Sequence, residues 1–496
     1  MSEPNIFCIQ GVEPEVLAYS MAKYSRSSLP MKESLAAISS QKASDFLNTF
    51  YFQYGHRSIA DLAHLPMAIE NISMLAAIEV VDESLWSGQE RSTRYQDFKK
   101  RDFFVPPELT HYEQVIYTAA IQKLFDAYED MTAFCIELLK EENPRPPEMD
   151  EATYVRTIKA RAFDVARYYL PLATKTSVGQ ITSARTLEGQ VSRMFSSPLP
   201  EIQQIAGMMK NAARDENAAP TLLKYTEPSS YIIESAKKLK ALMVYLMGGI
   251  PVTLSDVVEM ITFQSVEEEL VATLLYEHGS HPMHDILNQM RLVASKDKAQ
   301  YQLLTKTVID TAVADRSKFD ELLRAWRVGA GFVFDIAMDI GGFRDLHRHR
   351  RCIQVAQGYF AGMGADELQC PVKMLSKGGC DEVSVAKWNV LKERFSEDLE
   401  YLQGEFDTLQ NLLENRHAPK QMAAYMLPLG IKKRFLMKMD LAELAYITEL
   451  RTGPAGHASY RRVTWKMYEL LRERHPEISA HIRATDFAEP VDLLKR

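Results

Sequence analysis

The heptapeptide ARYYLPL at residues 166–172 returns as AAYMLPL at residues 423–429. Each copy leads into a stretch rich in leucine and charge, and each follows a long amphipathic pattern. The first is HYEQVIYTAAIQKLFDAYEDMTAFCIELLKEE (111–142), the second VAKWNVLKERFSEDLEYLQGEFDTLQNLLEN (385–415). In both, apolar residues recur at steps of three and four, the period of a helix that buries one face. Upstream, FYFQYGHRSIADLA (50–63) matches TLLYEHGSHPMHDIL (273–287), with His56 and His278, Ser58 and Ser280, and Asp61 and Asp285 in the same order. The order His-x-Ser, long helix, LPL is kept twice, the mark of a tandem duplication.

The boundary between the copies falls in KYTEPSS (224–230), where Pro and Ser interrupt two helical patterns. This predicts a first repeat over 1–228 and a second over 229–496. Residues 288–335 have no counterpart in the first copy and read as a helical insertion. Two apolar stretches, 68–81 and 328–340, fit either a strand or a buried helix, since short apolar runs do not decide between them. The fold class expected is α+β and helix-rich.

Composition narrows the function. An apolar fraction of 46% with 25% charged residues is that of a chain with a sizeable core. No apolar run reaches the roughly 18 residues of a spanning helix, and MSEPNIFCIQG lacks a basic segment followed by an apolar one. A cytosolic protein with no membrane role is expected. Five cysteines without CxxC spacing suggest neither a zinc ribbon nor a disulfide framework. A net charge of −8 argues against a general nucleic-acid binder, which needs a broad basic face. The stretch RDLHRHRRCIQ (344–354) is then a local basic pocket in an acidic protein.

Laid together, fragments of the two copies resemble the signature of the flavin-dependent thymidylate synthases, RHRxxSxNExSxRY. The first copy supplies its tail: Ser87, Gln89 in place of Asn, Glu90, Ser92, Arg94 and Tyr95. Its Arg-His-Arg positions hold Asp82, Glu83 and Ser84. The second copy supplies the head, Arg348, His349 and Arg350, and carries Val355, Ala356 and Gly358 where the tail belongs. The division continues downstream. The family's Arg before the LP pair and its Asn-Ala-Arg fall on Arg167 and on Ser183-Ala184-Arg185 in the first copy, whose final Arg position is Met194, with Arg193 beside it. In the second copy those places are Ala424 and Asp440-Leu441-Ala442, and only the final Arg survives, as Arg451. Each copy keeps what the other lost.

The resemblance implies a tandem repeat of that fold, with one composite site and one dead site per chain, FAD as cofactor, and NADPH and methylenetetrahydrofolate as co-substrates. The substrate it implies is dUMP or a related pyrimidine nucleotide, and the alternative to catalysis is a non-catalytic flavin- or nucleotide-binding homologue. It also implies a homodimer that rebuilds the family's tetramer. Carried over residue by residue, nucleotide contacts fall on Glu90, Arg91, Ser92, Thr93, Arg94, Arg167, Asp345, Arg348 and Arg451. Flavin contacts fall on Ser58, Ser280, Glu90, Ser183, Arg185, Arg348, His349 and Arg350. Asp345 stands where the family prefers Gln.

The residue types suit this chemistry independently of the family. A nucleotide monophosphate calls for guanidinium forks and hydroxyl donors. An Arg beside a uracil ring stabilises negative charge developing at N3 and O4, and Arg451 is the candidate for that catalytic role. Plainer readings stand beside these. HRHRR alone suits a solvated basic patch, Glu90 a surface carboxylate, RSTRY a helix cap, and LPL a bend. His278, His281 and His284 have a three-residue spacing, but only His278 has an equivalent in the other copy, and no metal site is expected.

Overall fold

The computed structural model describes residues 9, 11–23, 31–36, 57–98, 101–215, 218, 219, 221, 223, 225–253, 257–317, 320–369, 382–489, 492 and 494. Its fold is helix-rich α+β with two small sheets. The first comprises β1 (His64–Ser73), β2 (Ser87–Glu90) and β3 (Lys175–Ser183), in the order β1-β3-β2. The second comprises β4 (Val258–Ile261), β5 (Phe332–Asp339), β6 (Ile353–Ala356) and β7 (Lys432–Met439), in the order β4-β5-β7-β6. Without the edge strand β4, the two orders are the same: the last strand of each copy lies in the middle. β5 and β7 are antiparallel from Phe332↔Met439 to Asp339↔Lys432, and β6 joins β7 from Ile353↔Lys438 to Ala356↔Phe435.

Both ambiguous apolar stretches contain a strand followed by a helix. β1 runs into the helix Met74–Val81, and β5 into the helix Ile340–Leu346. The change of period at each junction is made by a cap. Ser73 Oγ accepts from the Ala76 N–H at 2.9 Å, and Asp339 Oδ1 accepts from the Gly342 N–H at 2.6 Å.

The chain forms two compact units: Met1–Ile72 with Glu79–Glu90 and Thr176–Ser230, and Ser73–Ile78 with Arg91–Lys175 and Tyr231–Arg496. In the first unit the helices Ala184–Phe195 and Pro200–Ala213 accompany the sheet. A chain of buried amides ties its parts together. The Trp86 indole donates to Gln180 at 2.7 Å, the Gln180 and Gln190 amides meet at 3.1 Å, and Gln190 donates to the Val80 carbonyl at 2.6 Å.

In the second unit the helices His111–Glu142 and Glu382–Asn415 pack on one another. They are stitched by Arg394–Asp130 at 3.0 Å, Lys123–Asp398 at 3.1 Å and Arg416–Glu113 at 2.8 Å. The two LPL segments, expected as separate bends, pair with each other. Pro171 bridges Pro428, the Leu172 N–H donates to the Leu427 carbonyl, and the Leu429 N–H to the Leu170 carbonyl, both at 2.9 Å. A proline has no N–H, so the bonds come from the leucines that flank it. The helices Ser230–Met247, Val266–Tyr276, Met283–Lys296 and Lys298–Val313 bury an apolar core over β5, β6 and β7 that includes Leu239, Leu275, Met290, Val333, Val355 and Leu436. Of the span 288–335, residues up to Val313 lie in two of these helices, and β5 begins at Phe332. Among the described residues, no helix is long and apolar enough to cross a membrane.

Candidate active site

Arg94 and Arg167 belong to the first copy by sequence, and Asp345, Arg348, His349, Arg350 and Arg451 to the second. All seven lie in the second compact unit. The helix Glu151–Ala166 brings Asp164 to the Arg94 side chain. Arg94 Nε and Nη2 donate to the two Asp164 oxygens at 2.6 and 3.0 Å, Nη1 to the Tyr460 hydroxyl at 3.1 Å, and Nη2 also to the Ala455 carbonyl at 3.2 Å. A guanidinium has five N–H groups, so Arg94 presents a single N–H to a ligand rather than a fork.

Arg167 is the reverse case. It starts the turn Arg167–Tyr169, is 1% exposed, and gives one bond, from Nη1 to Asp345 Oδ2 at 3.2 Å. Its Nε and Nη2 are buried without a partner among the described residues. Gly341 packs close against the guanidinium: a Cβ there would come within 3.3 Å of Arg167 Cζ and Nε.

Burial works against the charge on Asp345, but Arg167, Arg94 and Arg348 outweigh it and hold the carboxyl below its ordinary range. For Arg94, too, burial opposes the charge, and Asp164 raises its pKa well above the ordinary value. Both groups stay ionised. Arg348 is exposed, and its side chain makes no hydrogen bond or ion pair among the described residues. Burial, followed by the repulsion of Arg348, lowers Arg350 to about 10.

Two histidines frame the cluster, and both are neutral. His349 is pushed down to about 3 by burial and then by Arg451 and Arg350; its Nε2 accepts from Arg451 Nε at 2.8 Å. His457 is pushed down to about 3 by burial and Arg167. Its Nδ1 accepts from the Ser459 N–H at 3.2 Å, which leaves the proton on Nε2 to donate to the Asp164 carbonyl at 2.8 Å. The Arg451 guanidinium lies 5.4 Å from the centre of the Tyr460 ring, whose hydroxyl serves Arg94. Behind Arg167 the Ser459 hydroxyl donates to Asp339, and burial, reinforced by Asp366, pushes Asp339 up to about 6.

The remaining sequence candidates are placed as follows. Ser92 Oγ accepts from the Arg94 N–H at 3.2 Å within a turn, so its capping is local and starts no helix. Thr93 is buried, and Arg91 lies 4.4 Å over the Phe98 ring. Ser280 is half-buried in the loop before the helix Met283–Lys296. Glu90, Ser183 and Arg185 lie in the first unit. There Glu90 ends β2 opposite Val178, Ser183 caps the helix Ala184–Phe195, and Arg185 pairs with Asp61 at 3.1 Å. Ser58 is in the turn Arg57–Leu62, with its side chain outside the described residues, as is His56. His284 sits between Glu259 and Asp285, each at 2.9 Å. Among the described residues, no group of three or more His, Cys, Asp or Glu is arranged to hold a metal.

The first copy offers an internal comparison. Glu83, at the motif position of His349, accepts from Arg193 Nε at 3.0 Å; Glu79 takes Nη1 at 3.1 Å, and the Glu79 carbonyl takes Nη2 at 2.7 Å. There the arginine is neutralised by carboxylates, whereas Arg451 is held by a neutral imidazole.

Sequence reading missed Asp164, Tyr460, His457 and Asp339. Asp164 lies three residues before Arg167, the spacing of one helix face, and HASY (457–460) follows Arg451 by six residues. Neither spacing by itself separates a side chain that faces water from one that faces a buried guanidinium.

Two copies of one α+β unit, with guanidinium groups from both gathered in one cluster, define a tandem-repeat protein with a composite basic cluster. Comparison with known proteins agrees: the thymidylate synthase complementing protein family matches twice, over residues 9–220 and 266–477, and the chain belongs to that family in double-length form. It is similar to UPF0159 proteins of Chlamydia muridarum (24% identity, covering 98% of this chain and 92% of that one) and Thermoplasma acidophilum (23% identity, 94% of each). Among solved structures it is similar to thymidylate synthase X of Helicobacter pylori with FAD and dUMP. That match has 18% identity and a TM-score of 0.29, and covers 42% of this chain and 95% of the other.

Proposed function

We propose that the chain is a flavin-dependent thymidylate synthase, converting dUMP to dTMP with carbon from methylenetetrahydrofolate and electrons from NADPH. The observation that supports this most is the composite cluster, in which motif arginines kept by different copies surround one ionised Asp345. The buried, unpartnered Nε and Nη2 of Arg167 fit an anionic oxygen such as a nucleotide phosphate. The unpaired Arg348 beside a destabilised Arg350 fits a second anion, the pyrophosphate of FAD.

FAD, when bound and reduced, supplies the hydride. The chain's own residues do the rest. Arg94, Arg167 and Arg348 bind and orient the nucleotide, with Glu90, Arg91, Ser92 and Thr93 beside them by motif. Arg451, aimed by His349, stabilises negative charge at the pyrimidine edge and so activates C5 without an enzyme nucleophile. Ser58, Ser280, Ser183 and Arg185 contribute to the flavin by motif. The repeats are divided near residue 228, and two chains pair to complete the sites.

A second reading is modification of another pyrimidine nucleotide, and Asp345 favours it. A carboxylate accepts hydrogen bonds and cannot donate them, so it suits a ring amino group better than a ring carbonyl. Titration decides between them. The purified protein is expected to bind FAD and show a flavin spectrum that dUMP perturbs and CMP does not. Response to CMP alone favours the second reading, and response to neither overturns both.

A further inference from the structure

Arg451 reaches the cluster through His349, and the contact between them fixes a proton. An arginine only donates, so the 2.8 Å bond from Arg451 Nε requires a lone pair on His349 Nε2. The imidazole proton must then be on Nδ1. Facing that atom at 3.5 Å is Oε1 of Glu443, a residue 6% exposed on the helix that ends at Arg451. Its other oxygen meets the exposed Arg351 at 4.0 Å.

The plain alternative is a helix-start carboxylate with no further duty. Asp440 already caps this helix by accepting from the Glu443 N–H at 2.8 Å. The Glu443 carboxylate is turned instead to the imidazole. We propose that Glu443 is a positioning residue that holds His349 as the Nδ1–H tautomer, keeping Nε2 an acceptor that aims Arg451 without cancelling its charge.

The first copy supports this by contrast. Its loop carries Glu83 at the place of His349, and that carboxylate grips Arg193 directly. The helix position that receives the cap's hydrogen bond is Thr186 there and Glu443 here. The acid on the helix thus accompanies the imidazole in the loop. Where the loop itself is acidic, the arginine is neutralised; where a histidine stands between, the acid is moved back one residue in the chain of contacts and the arginine keeps its charge for a ligand.

The role of Arg451 in turnover rests on the proposed function, whereas the tautomer does not, so two measurements separate them. In protein with 15N-labelled histidine, the His349 ring nitrogens, assigned by their loss in His349→Asn, should report a neutral ring protonated at Nδ1 at pH 7. In Glu443→Ala they should shift toward the Nε2–H form or a mixture, and Glu443→Gln, whose amide oxygen still accepts, should restore the wild-type pattern. Turnover of dUMP should fall about ten-fold in Glu443→Ala with KM within about two-fold, and Glu443→Gln should recover most of it. A wild-type ring protonated at Nε2, or a tautomer indifferent to Glu443→Ala, overturns the inference. If Glu443→Ala does not fold, the wild-type spectrum and Glu443→Gln still decide. A tautomer that responds as expected in a protein that ignores dUMP overturns the proposed function and leaves the positioning role standing.

Discussion

Arg94 and Arg348 carry the same charge into the cluster but differ in what else depends on them. Arg94 gives the buried Asp164 two charge-assisted bonds, so Arg94→Ala breaks a buried ion pair and should cost about 3–5 kcal/mol of stability, as well as nucleotide affinity. Arg348 is exposed and unpaired, so Arg348→Ala should change stability by less than about 0.5 kcal/mol. It should still weaken dUMP binding ten-fold or more, through a lost charge-assisted contact of roughly 1.5–3 kcal/mol. Urea denaturation and dUMP titration of the two variants test both halves; tight binding by both would sink the composite site. Ser84→Ala and Phe360→Ala, at the positions of the proposed dead site that match Arg350 and Arg94, should leave binding unchanged. Arg451→Lys keeps a charge but loses the planar Nε–H that meets His349, so turnover should fall on the order of 100-fold while nucleotide affinity is largely kept. Unchanged turnover refutes the role. The arginines were legible in the sequence because two incomplete motifs complement each other. Asp164, Tyr460 and Glu443 were not, since a single acid or tyrosine in a helical stretch looks the same whether it faces water or a buried guanidinium.

At the scale of elements, helix periodicity served well where helices are long: the patterns at 111–142 and 385–415 correspond to the helices His111–Glu142 and Glu382–Asn415. It failed at the strand-to-helix junctions, where a single polar side chain makes the change. The pairing of the LPL segments was hidden for another reason, because it is made by backbone groups that leave no side-chain pattern. The junction after β5 carries a testable constraint. Gly342 packs so closely that a Cβ would lie 2.6 Å from Ser459 Oγ and 2.9 Å from Asp339 Oδ2, while the matching place after β1 holds Ala76. Helix propensity alone makes Gly342→Ala favourable by about 1 kcal/mol. Overpacking against two buried, mutually bonded groups should outweigh that gain and leave the variant less stable by roughly 1–3 kcal/mol. A lower urea midpoint at unchanged slope is the expected result, and a midpoint equal to or above that of the wild type contradicts the packing argument.

At the scale of the molecule, the buried histidines tie stability to pH. Burial, foremost, holds His349 and His457 near 3 against an ordinary 6.5, so on acidification from about 6 to 4 the unfolded chain takes up two protons that the native state refuses. Asp339, raised to about 6, has by then taken one proton in the native state that the unfolded chain lacks. The net uptake on unfolding is one proton, so these groups make stability fall with falling pH by about 1.4 kcal/mol per unit. His457→Asn should remove that slope, measured by urea denaturation at pH 4.5–6; an unaltered slope refutes the assignment. On the proposed function, the same electrostatics bear on how much flavin a chain should hold. Where the second copy presents Arg348, His349 and Arg350, the first presents Asp82, Glu83 and Ser84, and its Arg193 is already consumed by two carboxylates. A pyrophosphate that the first set attracts is repelled by the second, so each chain should hold one FAD although the fold occurs in it twice. Two chains paired with two-fold symmetry should run near twice 56.5 kDa and carry about two FAD, as read from mass in solution and flavin absorbance. A dimer with four equivalent flavins contradicts the division of labour between the copies. A monomer with full flavin occupancy contradicts the pairing of chains and leaves that division intact.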